Sequence, residues 1–342
     1  MISRRARLFA ASMFLGAVLS AAAHADDCKL GRIASLDFTE NGAVVVPVSL
    51  EGTSVRMAID TGSEVSGVDP VVAGNLHLIE QRMFQGMLYD TKGEPFTYVA
   101  TVHKLGMAEM QTGSVRMVVW PSQMSENGAV GGVLGADLLR HFDVDLDFGS
   151  HKLNLFSQDH CPGKVVYWTG DNVAVVPMHV VNSGNIIVPV TLDGHPFDAM
   201  LDTGATFSSL SMATAHSDYG LTPNSPDVTR LGNRRGVVGH GMYEHTFKSL
   251  SIGGLSIANP TIHLEDNLAA YSMTQAAPTG SRFSFATESG GNTDLTIGLN
   301  ELRHLHLYIA YKEQKLYMTP ASATANSSSG AAAPPGPTSA AR

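Results

Sequence analysis

The sequence contains little cysteine, tryptophan or charge for its length. Of its 342 residues, two are cysteine and two are tryptophan, and charged residues make up 15%. Two cysteines are too few for a disulfide scaffold, so a hydrophobic core has to stabilise the chain. The formal net charge of −9 argues against nucleic acid and against anionic membrane surfaces as partners.

Several catalytic motifs are also missing. The chain has no His-Glu-x-x-His segment, no Gly-x-Ser-x-Gly elbow beside a strand, and no Gly-rich phosphate loop. His304 and His306 share a face of a predicted strand, but no third metal ligand accompanies them. They are interpreted as a surface pair, and neither a metal nor another cofactor is expected.

The N-terminal residues have the pattern of a cleavable export signal. Arginines 4, 5 and 7 precede an apolar run over residues 8–19, which is too short for an ordinary membrane span, and Ala23-His24-Ala25 forms a small-x-small cleavage site. The pattern predicts cleavage after Ala25 and a periplasmic or secreted protein. At the other end, residues 321–342 are rich in Ala, Ser, Pro and Gly, which predicts a disordered tail.

The two cysteines, Cys28 and Cys161, both follow the predicted signal. In an oxidising compartment the simplest interpretation is one disulfide, which would tie the N-terminus to the joint between the two halves of the chain. Two unpaired thiols remain the alternative, because the sequence contains no geometric information.

One segment of the sequence is repeated. Ile59-Asp60-Thr61-Gly62-Ser63 returns as Leu201-Asp202-Thr203-Gly204-Ala205, with the second Asp 142 residues after the first. The same offset aligns the preceding Val-Pro-Val-Ser-Leu-Glu-Gly (46–52) with Val-Pro-Val-Thr-Leu-Asp-Gly (188–194). Each half of the chain therefore contains a hydrophobic strand that ends on one carboxylate.

The repeat extends toward the C-terminus with a changed offset. Leu139-Arg140-His141-Phe142 aligns with Leu302-Arg303-His304-Leu305, which predicts an insertion within residues 265–293. The duplication divides the mature chain into a first lobe over 26–160 and a second over 161–320. Because one chain contains both halves, a monomer is expected.

Short strands with Gly and Pro punctuation dominate both halves, which predicts an all-β fold of two closed or nearly closed barrels. Residues 33–50 are predicted to form a hairpin, as are residues 83–103. The three acids Asp143, Asp145 and Asp147 alternate with apolar residues, which indicates a strand with one solvated face rather than a metal site.

The duplicated Asp-Thr-Gly turn suggests a specific chemistry. If the two halves pack about a pseudo-twofold axis, Asp60 and Asp202 face each other and share a proton, because two adjacent carboxylates cannot both ionise cheaply. One carboxylate can then take a proton from water while the other donates to a carbonyl oxygen. Gly62 and Gly204 permit a tight turn, and the Thr61 and Thr203 hydroxyls can bond the partner turn.

The chain resembles the pepsin/retropepsin family of aspartic peptidases, in particular bacterial exported proteins with two retropepsin-like halves in one polypeptide. Asp60-Thr61-Gly62 and Asp202-Thr203-Gly204 match the family's catalytic motif, and the apolar stretches ending at Gly135 and Gly298 match its second loop. The resemblance implies an aspartic endopeptidase acting on an extended peptide or protein. It also implies flaps, whose residues would include Tyr89, Gly93, Gly239 and Gly241.

The two copies differ at the residue after the Gly, because Ser63 in the first copy aligns with Ala205 in the second. The difference suggests that the Ser63 hydroxyl stabilises ionised Asp60 and leaves the shared proton on Asp202. The alternative function is a catalytically inactive, two-lobed peptide-binding protein. A glycosidase also uses two carboxylates, but it has no need of twin Asp-Thr-Gly turns.

Overall fold

The computed structural model describes residues 29–40, 42–83, 88, 90, 94–124, 129–170, 172–233, 241–265 and 293–321. The architecture is mostly β, with three sheets and four short helices among these residues. No helix in the described part of the chain is long and apolar enough to cross a membrane. The signal, the tail and most of the predicted insertion lie outside the described residues.

The first half of the chain forms a ten-stranded sheet. Its strands are β2 (Thr39–Glu40), β3 (Val44–Leu50), β4 (Thr53–Ile59), β5 (Gly67–Val68), β6 (Ile79–Arg82), β7 (Tyr98–Val102), β8 (Leu105–Met107), β9 (Met110–Thr112), β10 (Val115–Val119) and β11 (Gly132–Leu134). The strand order is β6-β7-β10-β5-β11-β4-β3-β8-β9, and β2 pairs with β3. Two short helices, α1 (Pro70–Asn75) and α2 (Ala136–Leu139), follow β5 and β11.

The second half forms a second ten-stranded sheet with the same connectivity. Its strands are β15 (His179–Val180), β16 (Ile186–Leu192), β17 (His195–Leu201), β18 (Ser209–Ser211), β19 (Thr229–Asn233), β20 (Gly241–Thr246), β21 (Ser249–Ile252), β22 (Leu255–Ala258), β23 (Thr261–Glu265) and β24 (Leu295–Ile297). The order β19-β20-β23-β18-β24-β17-β16-β21-β22 repeats the first sheet strand for strand. Helices α3 (Met212–Tyr219) and α4 (Leu299–Leu302) follow β18 and β24.

The strands of both sheets fold for the same reason. In β3 and β16 the Val-rich runs bury nearly every residue, which suits β-branched side chains packed inside a sheet. The register also repeats: Val44 pairs with Ile59 in the first half, and Ile186 pairs with Leu201 in the second. The duplication read from the sequence is therefore present in the topology. Each sheet is an open path rather than a closed barrel, since the described strands at its two ends do not pair.

A third sheet joins the two halves. Its six strands are β1 (Arg32–Asp37), β12 (Asp143–Asp147), β13 (Lys152–Phe156), β14 (Ala174–Pro177), β25 (Leu305–Ala310) and β26 (Lys315–Pro320). The order is β1-β13-β12-β25-β26-β14, so each half contributes three strands and β12 pairs with β25 at the centre. Asp145 and Tyr308, which correspond in the repeat, pair directly. The pseudo-twofold axis therefore passes between them.

The joining sheet corrects two of the expectations. Residues 33–50 are not one hairpin, because β1 pairs with β13 in the joining sheet while the shorter β2 pairs with β3. The face with the alternating acids is not solvated, since Asp143 and Asp145 are both 0% exposed. Period-two alternation gives the face of a strand but does not reveal whether another element covers that face.

The side chains that cover the acidic face of β12 are histidines and tyrosines, which include Tyr167 on Asp145 and Tyr308 on Asp143. His160 Nε2 lies 2.6 Å from Asp143 Oδ2, and His306 Nε2 lies 2.6 Å from Asp145 Oδ1. His306 is buried and stacks on Trp168 with ring centroids 4.3 Å apart, so the expectation of a surface His304–His306 pair is wrong. His304 is exposed and lies outside the strand.

The hairpin predicted over residues 83–103 is partly described. Strands β6 and β7 form an antiparallel pair with Arg82 opposite Tyr98, but most of the connection between them lies outside the described residues. The pair β19–β20 occupies the equivalent position in the second half. Of the four predicted flap residues, Gly241 begins β20, while Tyr89, Gly93 and Gly239 lie outside the described residues. Their role as flaps stays a prediction. The Cys28–Cys161 disulfide also stays a prediction, because Cys28 lies outside the described residues.

Candidate active site

The two Asp-Thr-Gly turns meet at the pseudo-twofold axis. Each turn follows the inner strand of its own sheet, β4 or β17, and the N–H of its Asp donates to a neighbouring strand. Asp60 N donates to the Leu134 carbonyl at 3.0 Å, and Asp202 N donates to the Ile297 carbonyl at 3.0 Å. The apolar stretches that precede Gly135 and Gly298 therefore support the two Asp-Thr-Gly turns from behind, as the resemblance implies.

The two threonines exchange hydrogen bonds across the axis. Thr61 Oγ1 donates to the Leu201 carbonyl at 2.8 Å, and Thr203 Oγ1 donates to the Ile59 carbonyl at 2.8 Å. Each hydroxyl also accepts from the backbone N–H of the other threonine at 3.1 Å. Both side chains are 0% exposed. This reciprocal set of four bonds fixes the distance between the turns.

The carboxyl groups of Asp60 and Asp202 lie beside each other, and each affects the pKa of the other. The backbone donates to both: Gly62 N and Ser63 N to Asp60 Oδ1 at 2.9 and 2.8 Å, and Gly204 N and Ala205 N to Asp202 Oδ1 at 2.8 and 3.2 Å. All eight residues of the two predicted catalytic turns thus lie together in one site.

The two glycines leave room for this contact. A Cβ built on Gly62 would lie 2.3 Å from Asp202 Cγ, and one built on Gly204 would lie 2.2 Å from Asp60 Cγ. Each turn therefore presses its backbone against the carboxylate of the other, and any side chain at these positions would displace the pair.

The pKa values of Asp60 and Asp202 reflect two carboxyl groups buried side by side. Burial is the largest cause that raises the pKa of Asp60 well above its ordinary value, followed by the charge of Asp202 and the hydrogen bond with it. Burial also raises the pKa of Asp202, against the hydrogen bonds from Gly204, Asp60 and Ala205, which lower it. A pair with these properties holds a shared proton.

The expected role of the Ser63 hydroxyl is wrong. Ser63 Oγ donates to the carbonyl of Val65 at 2.9 Å, so it is turned away from the carboxylate. The group of Ser63 that reaches Asp60 is its backbone N–H, and Ala205 supplies the same kind of group to Asp202. The difference between Ser63 and Ala205 therefore does not create the proposed asymmetry.

A second layer of polar side chains supports both turns. Ser66 Oγ donates to Asp137 at 2.6 Å and accepts from Gly135 N at 2.9 Å. In the second half Ser208 Oγ has the same two contacts with Asn300 and Gly298 N, each at 3.0 Å. The repeat aligns Ser66 with Ser208 and Asp137 with Asn300, but the sequence alone does not indicate these hydrogen bonds.

Sequence reasoning missed one further residue. Asn185 comes from the second half, is 5% exposed, and donates through Nδ2 to the Gly62 carbonyl at 2.8 Å. The signal was available as a break in the repeat, because Asn185 aligns with Ala43 within a segment that is otherwise well matched.

Part of the chain is similar to a known protein family. Residues 188–300 match a family model described as aspartyl protease. No curated protein matches the chain. The basic 7S globulin from soybean is 10% identical over 86% of this chain and 96% of that chain, with a TM-score of 0.47. The aspartic proteinase from Irpex lacteus is 13% identical over 85% of this chain and 98% of that one, with a TM-score of 0.46.

The family match begins in β16, includes the second Asp-Thr-Gly turn, and ends at Asn300 behind that turn. It therefore falls on the half whose topology and hydrogen bonds are repeated in the other half. The resemblance inferred from the two turns is confirmed: the chain is similar to the pepsin- and retropepsin-like aspartic peptidases.

Proposed function

We propose that this protein is an aspartic endopeptidase whose catalytic residues are Asp60 and Asp202. The observation that carries the proposal is the pair of adjacent carboxyl groups, which two symmetry-related turns hold with four backbone N–H donors. Paired carboxyls with raised pKa values are suited to general acid and general base catalysis near neutral or acidic pH.

The chemistry follows from the shared proton. The ionised carboxylate removes a proton from a water, whose oxygen attacks the carbonyl carbon of a peptide bond. The protonated partner donates its proton to the carbonyl oxygen, so a neutral tetrahedral diol forms. The diol collapses when the protonated carboxyl gives its proton to the amide nitrogen, the C–N bond breaks, and the other carboxylate takes a proton from a diol hydroxyl. The products are an amine and a carboxylic acid, no covalent bond to the enzyme forms, and the cycle ends with one proton on the pair.

The substrate proposed for this site is an extended peptide or an unfolded protein segment. The β6–β7 and β19–β20 pairs stand at equivalent places in the two halves, where strand addition could recognise a backbone irrespective of side chains. Because one chain contributes both aspartates, a monomer suffices. We further propose export across a membrane, which N-terminal sequencing of the mature protein would test by locating the start at Asp26.

The experiment that tests the proposal is digestion of a mixed peptide library between about pH 3 and 8, with identification of the cut sites. The wild type is compared with Asp60→Asn and Asp202→Asn, and Asp198→Asn, a substitution of an exposed strand residue, is the control. We expect cleavage by the wild type and the control and loss of cleavage in both dyad variants.

Two results would contradict the proposal. A folded wild type that cuts nothing across the range would favour the alternative, a peptide-binding protein without catalysis. Cleavage that survives either Asp→Asn substitution would mean that the chemistry lies elsewhere in the chain.

A further inference from the structure

Asn185 introduces an asymmetry that the duplicated catalytic turns lack. It stands at the start of the second half's inner hairpin, just before β16, yet its side chain reaches across the axis to the first catalytic turn. The aligned residue in the first half is Ala43, which has no polar side-chain atom. The contact therefore exists on one side of the dyad only.

The orientation of the Asn185 amide follows from its neighbours. Nδ2 faces two carbonyl oxygens, those of Gly62 at 2.8 Å and Thr61 at 3.4 Å, while Oδ1 accepts from the Ser183 hydroxyl. A flipped amide would place its oxygen against two other acceptors, so only this orientation satisfies the buried groups.

The two contacted carbonyls belong to the peptide units that hold Asp60. The Gly62 carbonyl shares its peptide unit with Ser63 N–H, which donates to Asp60 Oδ1 at 2.8 Å. The Thr61 carbonyl shares its unit with Gly62 N–H, which donates to the same oxygen at 2.9 Å. A donor on a peptide carbonyl polarises the N–H of that unit, because hydrogen bonds in a chain strengthen one another.

The aligned position in the first half, Ala43, has no side-chain donor for the second turn. A different contact across the axis is the Thr206 hydroxyl donating to the Gly42 carbonyl at 2.7 Å, and that carbonyl lies outside the two Asp-Thr-Gly turns. The Ala205 N–H, which corresponds to that of Ser63, lies farther from its carboxylate, at 3.2 Å. Ser63 N–H thus lies closer to its carboxylate than Ala205 N–H does, whereas Gly62 N–H and Gly204 N–H lie at nearly equal distances from theirs, 2.9 and 2.8 Å. Gly62 N–H also acts on Asp202, so the Ser63 N–H is the donor that belongs to Asp60 alone.

The turn that contains Asn185 is held by backbone hydrogen bonds and by close packing against the first half. Val181 N donates to the Asn185 carbonyl at 3.1 Å, and Gly184 N donates back to Val181 at 2.8 Å. Gly184 has a φ of +93° and lies so close to the first half that a Cβ on it would come within 2.6 Å of Ala136 Cβ. Asn185 is therefore held in place by backbone as well as by Ser183.

We propose that Asn185 is a positioning residue that favours the ionised form of Asp60 through the peptide units of the first catalytic turn. This inference rests on the proposed function, since it assigns a part to Asn185 in the same dyad. The charged group facing Asp60 is Asp202, and the other groups acting on it are backbone N–H donors. Glu64, later in the same turn, has its side chain exposed.

The test compares Asn185→Leu and Ser183→Ala with the wild type. Leu branches at Cγ as Asn does and donates no hydrogen bond, although it is larger, whereas Ser183→Ala keeps the amide and removes one of its anchors without adding volume. We expect the acidic limb of the kcat/KM profile to move up by roughly half a pH unit in Asn185→Leu and by less in Ser183→Ala. KM should stay within about twofold, because Asn185 does not contact the substrate.

Thr206→Val is the matched control, because it removes the Thr206–Gly42 contact across the axis without touching a peptide unit that holds an aspartate. Its acidic limb should coincide with that of the wild type even if its stability falls. An Asn185→Leu profile that coincides with the wild type, or a Thr206→Val profile that shifts equally, would overturn the proposal.

A second readout separates this inference from the proposed function. In protein labelled with ¹³C at the Asp side chains, the carboxyl resonances of the dyad report its titration without any substrate. An upward shift in Asn185→Leu supports the inference even if the wild type cuts no peptide, in which case only the proposed function fails. Titrations that coincide in wild type and variant would overturn the inference even if the wild type is an active peptidase.

Discussion

Thr61 and Thr203 each accept a hydrogen bond from the backbone N–H of the other at 3.1 Å, and both are fully buried. Each hydroxyl also donates to the residue before the partner's aspartate. The two halves are therefore joined at the site itself, so the geometry of the dyad and the stability of the interface depend on the same four bonds.

Replacing either threonine with valine should destabilise the protein as well as impair catalysis. Thr61→Val keeps the shape but removes the bond to the Leu201 carbonyl and leaves the Thr203 N–H buried without the Thr61 hydroxyl. We expect a loss of about 2–4 kcal/mol in the free energy of unfolding, measured by urea titration. Thr112→Val is the control, because the Thr112 hydroxyl bonds only the adjacent Gly113 carbonyl on an exposed strand. A loss no larger than that of the control would mean that the exchange contributes nothing.

A methyl group on either catalytic glycine should abolish cleavage. In Gly62→Ala the new Cβ would overlap Asp202 Cγ, so the carboxyls must separate. Displacements of this size cost on the order of 100-fold in rate or more, which a peptide-cleavage assay detects directly. Gly74→Ala is the matched control, since a Cβ on Gly74 would meet nothing within 4 Å and the residue lies in helix α1. Full activity in Gly62→Ala would show that the turns do not meet as described.

Asp60→Asn should make the protein more stable at neutral pH while it removes activity. Burial and Asp202 raise the pKa of Asp60 in the folded state. Below the unfolded-state pKa both states are protonated and the group contributes nothing. As the pH rises above it, the unfolded chain releases the proton first, so stability falls until the folded pKa is passed.

The neutral amide avoids this penalty, so the urea midpoint of Asp60→Asn should exceed that of the wild type at about pH 7 and match it more closely at about pH 3. Asp198→Asn, on the exposed side of β17, should show no such difference between the two pH values. A lower midpoint for Asp60→Asn at neutral pH would mean that the ionised carboxyl is well solvated in the folded protein.

The joining sheet should be sensitive to loss of one partner from its buried pairs. His306 lies 2.6 Å from Asp145, which also accepts from Asn154 and Tyr167. His306→Leu leaves the carboxylate buried without that partner, and breaking such a pair costs about 3–5 kcal/mol. The free energy of unfolding, measured by urea titration, gives the loss.

The double variant Asp145→Asn with His306→Leu removes both members of this pair. It should recover part of the loss, because no unpaired charge then remains. His304→Leu, at the exposed position two residues earlier, serves as the control. A double variant that is less stable than His306→Leu alone would show that Asp145 is stabilised mainly by Asn154 and Tyr167.

Much of the site could be predicted because the duplication is visible in the sequence as a repeat. The residues that form the turns are adjacent along the chain, so Asp60, Thr61, Gly62 and their copies could be recognised by eye. The strands that end on the aspartates and the apolar stretches that end at Gly135 and Gly298 follow from the same alignment. These features depend on local patterns and on one symmetry, both of which a single sequence contains.

The errors have a common physical origin. The sequence placed Asp143, Asp145 and Asp147 on one strand face but could not say what packs on that face, and His160 and His306 cover it from distant segments. The Ser63 hydroxyl was expected to bond Asp60 because the two residues are close in sequence, whereas its rotamer directs it to Val65. Asn185 was overlooked because its contact joins residues more than a hundred positions apart.

What the sequence by itself determined is the pair of aspartates, the turns that carry them, and a duplicated all-β architecture, since each is written in residues that are neighbours along the chain. Tertiary structure alone decided how the halves are joined: the threonine exchange, the buried charges of the central sheet, and the one-sided reach of Asn185 to the first turn. Those contacts depend on the packing of segments that are distant in sequence, and local patterns do not encode which distant group will cover a given face.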